Sequence, residues 1–89
     1  MKDLSGYIDS LLDDITTNED VDHRVYLKDG IYIIEYTFYI KKYDIGMEDF
    51  IRLIVKEQVD KVIDQYITKG SLEYLIVVNF EPLQTHKKP

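Results

Sequence analysis

Leu4, Tyr7, Ile8, Leu11, Leu12 and Ile15 recur at spacings of three and four, the stripe of an amphipathic helix. Asp3, Ser5, Gly6, Asp9, Ser10, Asp13 and Asp14 occupy its other side. Thr16-Thr17-Asn18-Glu19-Asp20 has turn composition and no apolar period, so it reads as a loop. The period then shortens to two, and two alternating runs flank Asp29-Gly30. An Asp-Gly pair suits a tight type I′ hairpin turn, in which both central residues need positive φ. That turn sets a register with Lys28 opposite Ile31, Leu27 opposite Tyr32, Val25 opposite Ile34 and Arg24 opposite Glu35. The last pair brings opposite charges together, as a correct register should. The second strand is expected to run about twice as long as the first.

In that second strand Tyr32, Ile34, Tyr36, Phe38 and Ile40 form the core face; Ile31, Ile33, Glu35, Thr37, Tyr39 and Lys41 form an amphipathic outer face. A long helix is predicted from Gly46 or Met47, with Ile45 stapled onto Phe50 across a Gly46 cap. Its stripe is Met47, Phe50, Ile51, Ile54, Val55, Val59, Val62, Ile63 and Tyr66. Glu48–Arg52, Lys56–Asp60 and Glu57–Lys61 have supporting i, i+4 spacing. Lys69 and Gly70 read as its end. Residues 71–81 read as a last strand closed by Pro82, with Leu72, Tyr74, Ile76, Val78 and Phe80 on one face and Leu75 and Val77 on the other.

The order α-β-β-α-β without repeat or linker predicts a single α+β domain over residues 1–83, with residues 84–89 a polar tail. A strand, crossover helix and returning strand run parallel, so the expected architecture is a three-stranded mixed sheet packed against one long and one short amphipathic helix. With both helices on one face, Ile31, Ile33, Tyr39, Leu75 and Val77 meet on an uncovered face, joined by Tyr26. Contiguous apolar surface of this kind marks an interface, and the expectation is a homodimer. The alternative places the first helix over that face as a third layer.

Charge changes the picture more than size does. Of 17 acids and 11 bases in the 89 residues, seven acids and one base lie within residues 1–22, so the remainder balances. An acidic block repels nucleic-acid phosphate, and no basic run compensates for it. Asp9, Asp13, Asp14, Glu19, Asp20 and Asp22 are therefore candidate contacts to a basic surface of a protein partner. Asp13 and Asp14 also sit at the helix end that disfavours acids.

Catalytic equipment is sparse. With no cysteine there is no disulfide, thiol nucleophile, cysteine zinc site or iron–sulfur cluster, and a reducing cytoplasm is the expected compartment. No apolar run approaches a membrane span, and the acidic N-terminus is not a secretory signal. His23 lies near Asp20 and Asp22, but the register places it on the core side beside Tyr36 rather than in a ligand set. His86 has no evident partner. The four glycines are dispersed, so there is no phosphate loop, and no nucleophile elbow occurs. The expectation is a protein without enzymatic activity, metal or cofactor.

Eight tyrosines are the compositional oddity. Tyr32, Tyr36, Tyr66 and Tyr74 fall on core faces, where each hydroxyl must reach a partner or the rim. Tyr26, Tyr39 and Tyr43 fall on or near the outer face, where tyrosines act as interface anchors. With Arg24 they would also suit a single-strand stacking platform, which a basic surround should accompany. The element order looks like that of some small RNA-binding folds, whose Gly-x-x-Gly loop is absent here. In size, acidity and lack of catalytic equipment the chain is similar to small inhibitors of phages and other mobile elements. Several of these present carboxylates at DNA-like spacing to a nucleic-acid groove. The expected function is a small acidic protein-binding module, an inhibitor by charge mimicry; the alternative is an assembly protein acting through its outer sheet face.

Overall fold

The Asp29-Gly30 turn organises the sheet. Both residues have positive φ, 53° and 80°, so the right-handed twist of the flanking strands continues through the turn. In the computed structural model, which describes residues 3–16, 20–42, 44–67, 70 and 72–83, this hairpin joins β1 (Val21–Lys28) to β2 (Ile31–Ile40). The pairing is antiparallel and runs from Lys28↔Ile31 to Val21↔Phe38, the register that the turn predicts. A helix α1 (Ser5–Ile15) precedes the hairpin; α2 (Ile45–Tyr66) follows it and returns the chain to β3 (Tyr74–Pro82). β3 pairs parallel with β2 along its length, from Tyr32↔Tyr74 to Ile40↔Pro82. The strand order is β1-β2-β3, so both hairpin partner and returning strand flank the central strand. The α+β architecture with a three-stranded mixed sheet is thus the observed one.

Both helices cover the same sheet face. Ile8 and Leu12 of α1 meet Tyr32, Ile34 and Tyr36 of β2 and Val55, Val59, Val62 and Ile63 of α2 in one buried cluster. Val21, Val25, Leu27, Tyr74, Ile76 and Val78 pack around it. The third-layer alternative is excluded, because the helix stripe that would cover the outer face is spent on the inner one. The core tyrosines reach polar partners at the rim. Tyr32 Oη accepts from Leu4 N–H (2.9 Å), Tyr36 Oη shares a hydrogen bond with Thr16 Oγ1 (3.2 Å), and Tyr74 Oη donates to Asp60 Oδ1 (2.6 Å).

Several local expectations need correction. β1 is nearly as long as β2, since strand pairing starts at Val21; Tyr39 N–H even reaches Asp20 C=O (2.9 Å). α2 starts at Ile45 and is capped by Asp44, whose Oδ1 accepts from Gly46 N–H (2.9 Å). The predicted staple does not form: Ile45 is 81% exposed and Phe50 also faces solvent. Tyr7 and Ile15 at the margin of the α1 stripe, and Tyr66 at the end of α2, are exposed as well. The stripe of each helix is therefore narrower than its hydrophobic period. α2 stops at Tyr66, before left-handed Gly70 (φ 96°), and β3 begins at Tyr74, later than expected. Glu19, Tyr43, Lys69, Ser71, His86 and the 84–89 tail lie outside the described residues.

Candidate functional site

Strand registers assemble the outer face in rows. Across the three strands the rows are Tyr26–Ile33–Leu75, then Arg24–Glu35–Val77, then Asp22–Thr37–Asn79. Ile31 extends the first row toward the hairpin, and Tyr39, paired with Glu81, extends the last toward the other end. Neither helix covers this face. Leu75 is 55% exposed and Ile31 38%, while Tyr26, Ile33 and Val77 are half-buried by their strand neighbours alone. All six predicted sheet-face residues, Tyr26, Ile31, Ile33, Tyr39, Leu75 and Val77, thus lie on one surface, and five of them make a contiguous apolar half.

The face is polarised. At its middle Arg24 Nε donates to Glu35 Oε1, and Asn79 Nδ2 donates to Glu35 Oε2 (2.9 Å). This Arg24 hydrogen bond, seconded by Asn79, holds the Glu35 carboxyl below the usual carboxylate range. The Arg24 guanidinium also stands over the Tyr26 ring, 4.9 Å from its centroid, and so fixes the ring on the apolar half. Beyond the Arg24–Glu35–Asn79 cluster the surface is acidic, with Asp22 and Glu81 on either side of Tyr39. Burial, and then the Asp22 carboxylate, push the Tyr39 hydroxyl pKa up, so it stays a neutral donor.

The predicted acidic contacts are not gathered on this face. Asp22 belongs to it and Asp20 lies at its edge, just before β1. Asp9 and Asp13 are on the flank of α1 that meets β1. There Asp9 Oδ1 lies 2.9 Å from His23 Nδ1 and Asp13 Oδ1 3.5 Å from His23 Nε2. The His23 side chain is only 9% exposed and also packs on Tyr36, with ring centroids 5.6 Å apart. Its place beside Tyr36 is the one the register predicts. The two carboxylates were missed, because they lie 10 and 14 residues away in sequence and the contact depends on how α1 docks. Asp14 is exposed about a quarter-turn further round α1 from Asp13. Glu19 lies outside the described residues.

Among the described residues no group of three or more His, Cys, Asp or Glu side chains is arranged to hold a metal ion, and no helix is long and apolar enough to cross a membrane. Comparison with protein families, with curated proteins and with solved structures finds no match to this chain.

Proposed function

We propose that this chain is a non-catalytic protein-binding module whose working surface is the uncovered outer sheet face. The observation that carries this reading is the apolar Tyr26–Ile33–Leu75 row, with Ile31 and Val77 beside it, next to an acidic half. A partner of complementary chemistry offers an apolar centre and a basic rim. The apolar contact supplies the affinity through burial, with Tyr26 as a pre-oriented anchor. Asp22 and Glu81 supply charge complementarity, which acts on association rate and on rejection of acidic surfaces. The excess of acids over bases in the chain favours the same class of partner. Where the engaged basic rim is a nucleic-acid groove, the result of binding is inhibition, in keeping with an acidic cytoplasmic inhibitor.

The test is capture of a partner from source-cell extract by the immobilised chain, in parallel with Ile33→Lys and with Asp22→Asn/Glu81→Gln. The reading predicts a stoichiometric partner that Ile33→Lys fails to retain. It also predicts that the double variant holds this partner less tightly and with a flatter salt dependence. A partner retained equally by all three proteins would refute it, as would recovery of the bait alone.

A further inference from the structure

Among the described residues no strand pairs with the outer edge of β3, and its pattern is suited to a copy of itself. Tyr32 N–H donates to Glu73 C=O (2.9 Å). Backbone polar groups alternate sides along a strand, so the odd-numbered residues of β3 bond β2. Tyr74, Ile76, Val78 and Phe80 therefore turn their N–H and C=O groups to the other side, where no described strand pairs. The stretch from Tyr74 to Phe80 holds no charge, proline or glycine and is rich in strand-forming residues. β1, the opposite edge, carries Asp22, Arg24 and Lys28 and has α1 against it. Of the two described edges, β3 is the one that, from Tyr74 to Phe80, lacks charge or proline as a guard against strand addition.

We propose that β3 pairs antiparallel with β3 of a second copy, about a twofold axis at Ile76, to form one continuous six-stranded sheet. The register follows from eliminating its neighbours, of which an axis at Leu75 sets the charged Glu73 opposite apolar Val77 of the copy. An axis at Val77 sets Glu73 opposite Glu81 of the copy, a like-charge pair. An axis at Val78 sets Pro82, which has no N–H, at a hydrogen-bonding position opposite Tyr74. An axis at Ile76 pairs Leu75 with Val77, Tyr74 with Val78 and Glu73 with Asn79, with no like-charge pair and no charge opposite an apolar residue. Ile76 and the two Tyr74–Val78 pairs then exchange roughly six N–H···O bonds.

The helix layer agrees. A groove of about 610 Å³ runs between α2 and the β3 edge, with Arg52, Lys56 and Asp60 on one wall and Tyr74, Ile76 and Val78 on the other. In the paired sheet the twofold axis sets both helix layers on one side, so the grooves of the two copies meet at the axis. Arg52 stands over Phe80 and Asp60 holds Tyr74, so Lys56 and Asp60 straddle the level of Ile76. Their 2.8 Å ion pair presents both signs at the axis, and the copy presents the same two in reverse order. The groove is thereby filled without facing like charges.

This pairing uses the β3 edge and is independent of the outer-face reading. The experiment mixes a Leu75→Cys chain with a Val77→Cys chain under mild oxidation. The proposed register brings these positions to about 4.5 Å between Cα atoms, within disulfide reach. Covalent dimer should form in the mixture and not in either variant alone, on a background free of cysteine. Wild type should scatter light as twice the 10.6 kDa chain mass at a concentration on the order of 100 μM. Ile33→Lys, on the central strand, should change neither result. A monomer at that concentration, equal cross-linking in a single variant, or a dimer abolished by Ile33→Lys would overturn the proposal. So would an edge occupied by a different protein's strand, which leaves the chain monomeric by itself.

Discussion

Ile33 and Ile34 are the same residue type, adjacent on the same central strand, and they face opposite ways. Truncating each to alanine therefore measures how differently the two sheet faces are covered. Ile34 is fully buried beneath both helices, so its loss removes a transfer contribution and leaves a cavity. Isoleucine-to-alanine changes in such positions cost about 2–5 kcal/mol, and a fully enclosed central site belongs in the upper half of that range. Ile33 lies on the outer face, half-buried by strand neighbours only. Three carbons removed at about 0.8 kcal/mol each, counted at about half burial, give about 1.2 kcal/mol and no enclosed cavity. The difference between the variants should thus exceed about 2 kcal/mol. A domain of 89 residues has about 4–13 kcal/mol of total stability, so both midpoints should be measurable. Urea unfolding followed by far-UV circular dichroism reads both, with equal m-values required for the comparison. Equal destabilisation by Ile33→Ala and Ile34→Ala would refute single-face coverage and with it the exposed surface.

Gly30→Ala should destabilise by about 1 kcal/mol in the same assay, because φ is +80° there although space for a methyl group is open. Asp44→Ala should cost about 1 kcal/mol through loss of the α2 cap to Gly46 N–H, and Asp44→Asn much less. Acid titration should show the Glu35 contribution: its pKa is lowered in the fold, so this stability is present above about pH 4.5 and is lost as pH falls through the depressed value. Arg24→Gln should reduce that acid-limb loss. At the other extreme the Tyr74 pKa is pushed up to about 12 by burial and then by Asp60, and Tyr36 and Tyr39 are also raised. The unfolded chain loses these protons first, so stability should fall as pH rises past about 10, and Tyr74→Phe should lessen the fall.

The parts legible in the sequence are those governed by local geometry. Asp29-Gly30 dictates the hairpin register because two residues of positive φ leave the flanking strands one way to pair. Once the register is known, alternation places Tyr26, Ile33, Leu75 and Val77 on one face, and a single helix layer leaves that face open. What was hidden depends on neighbours distant in sequence. β1 extends to Val21 because β2 offers it a partner, a gain that local composition does not record. The α2 start reads as Ile45 stapled to Phe50 across a Gly46 cap, whereas Asp44 caps Gly46 N–H and Ile45 meets no packing surface. Asp9 and Asp13 look like solvated acids until α1 docks and brings them to His23. Strand order was hidden too: β3 lies beside β2, and its uncharged edge has meaning only in that position.

The claim that the outer sheet face binds is tested most directly by mapping amide and side-chain perturbations on the isotope-labelled chain as its captured partner is added. The account predicts changes concentrated at Tyr26, Ile31, Ile33, Leu75 and Val77, with Asp22 and Glu81 at their border. Perturbations confined to Asp13, Asp14 and the solvent side of α1, with the sheet face unchanged, would contradict it.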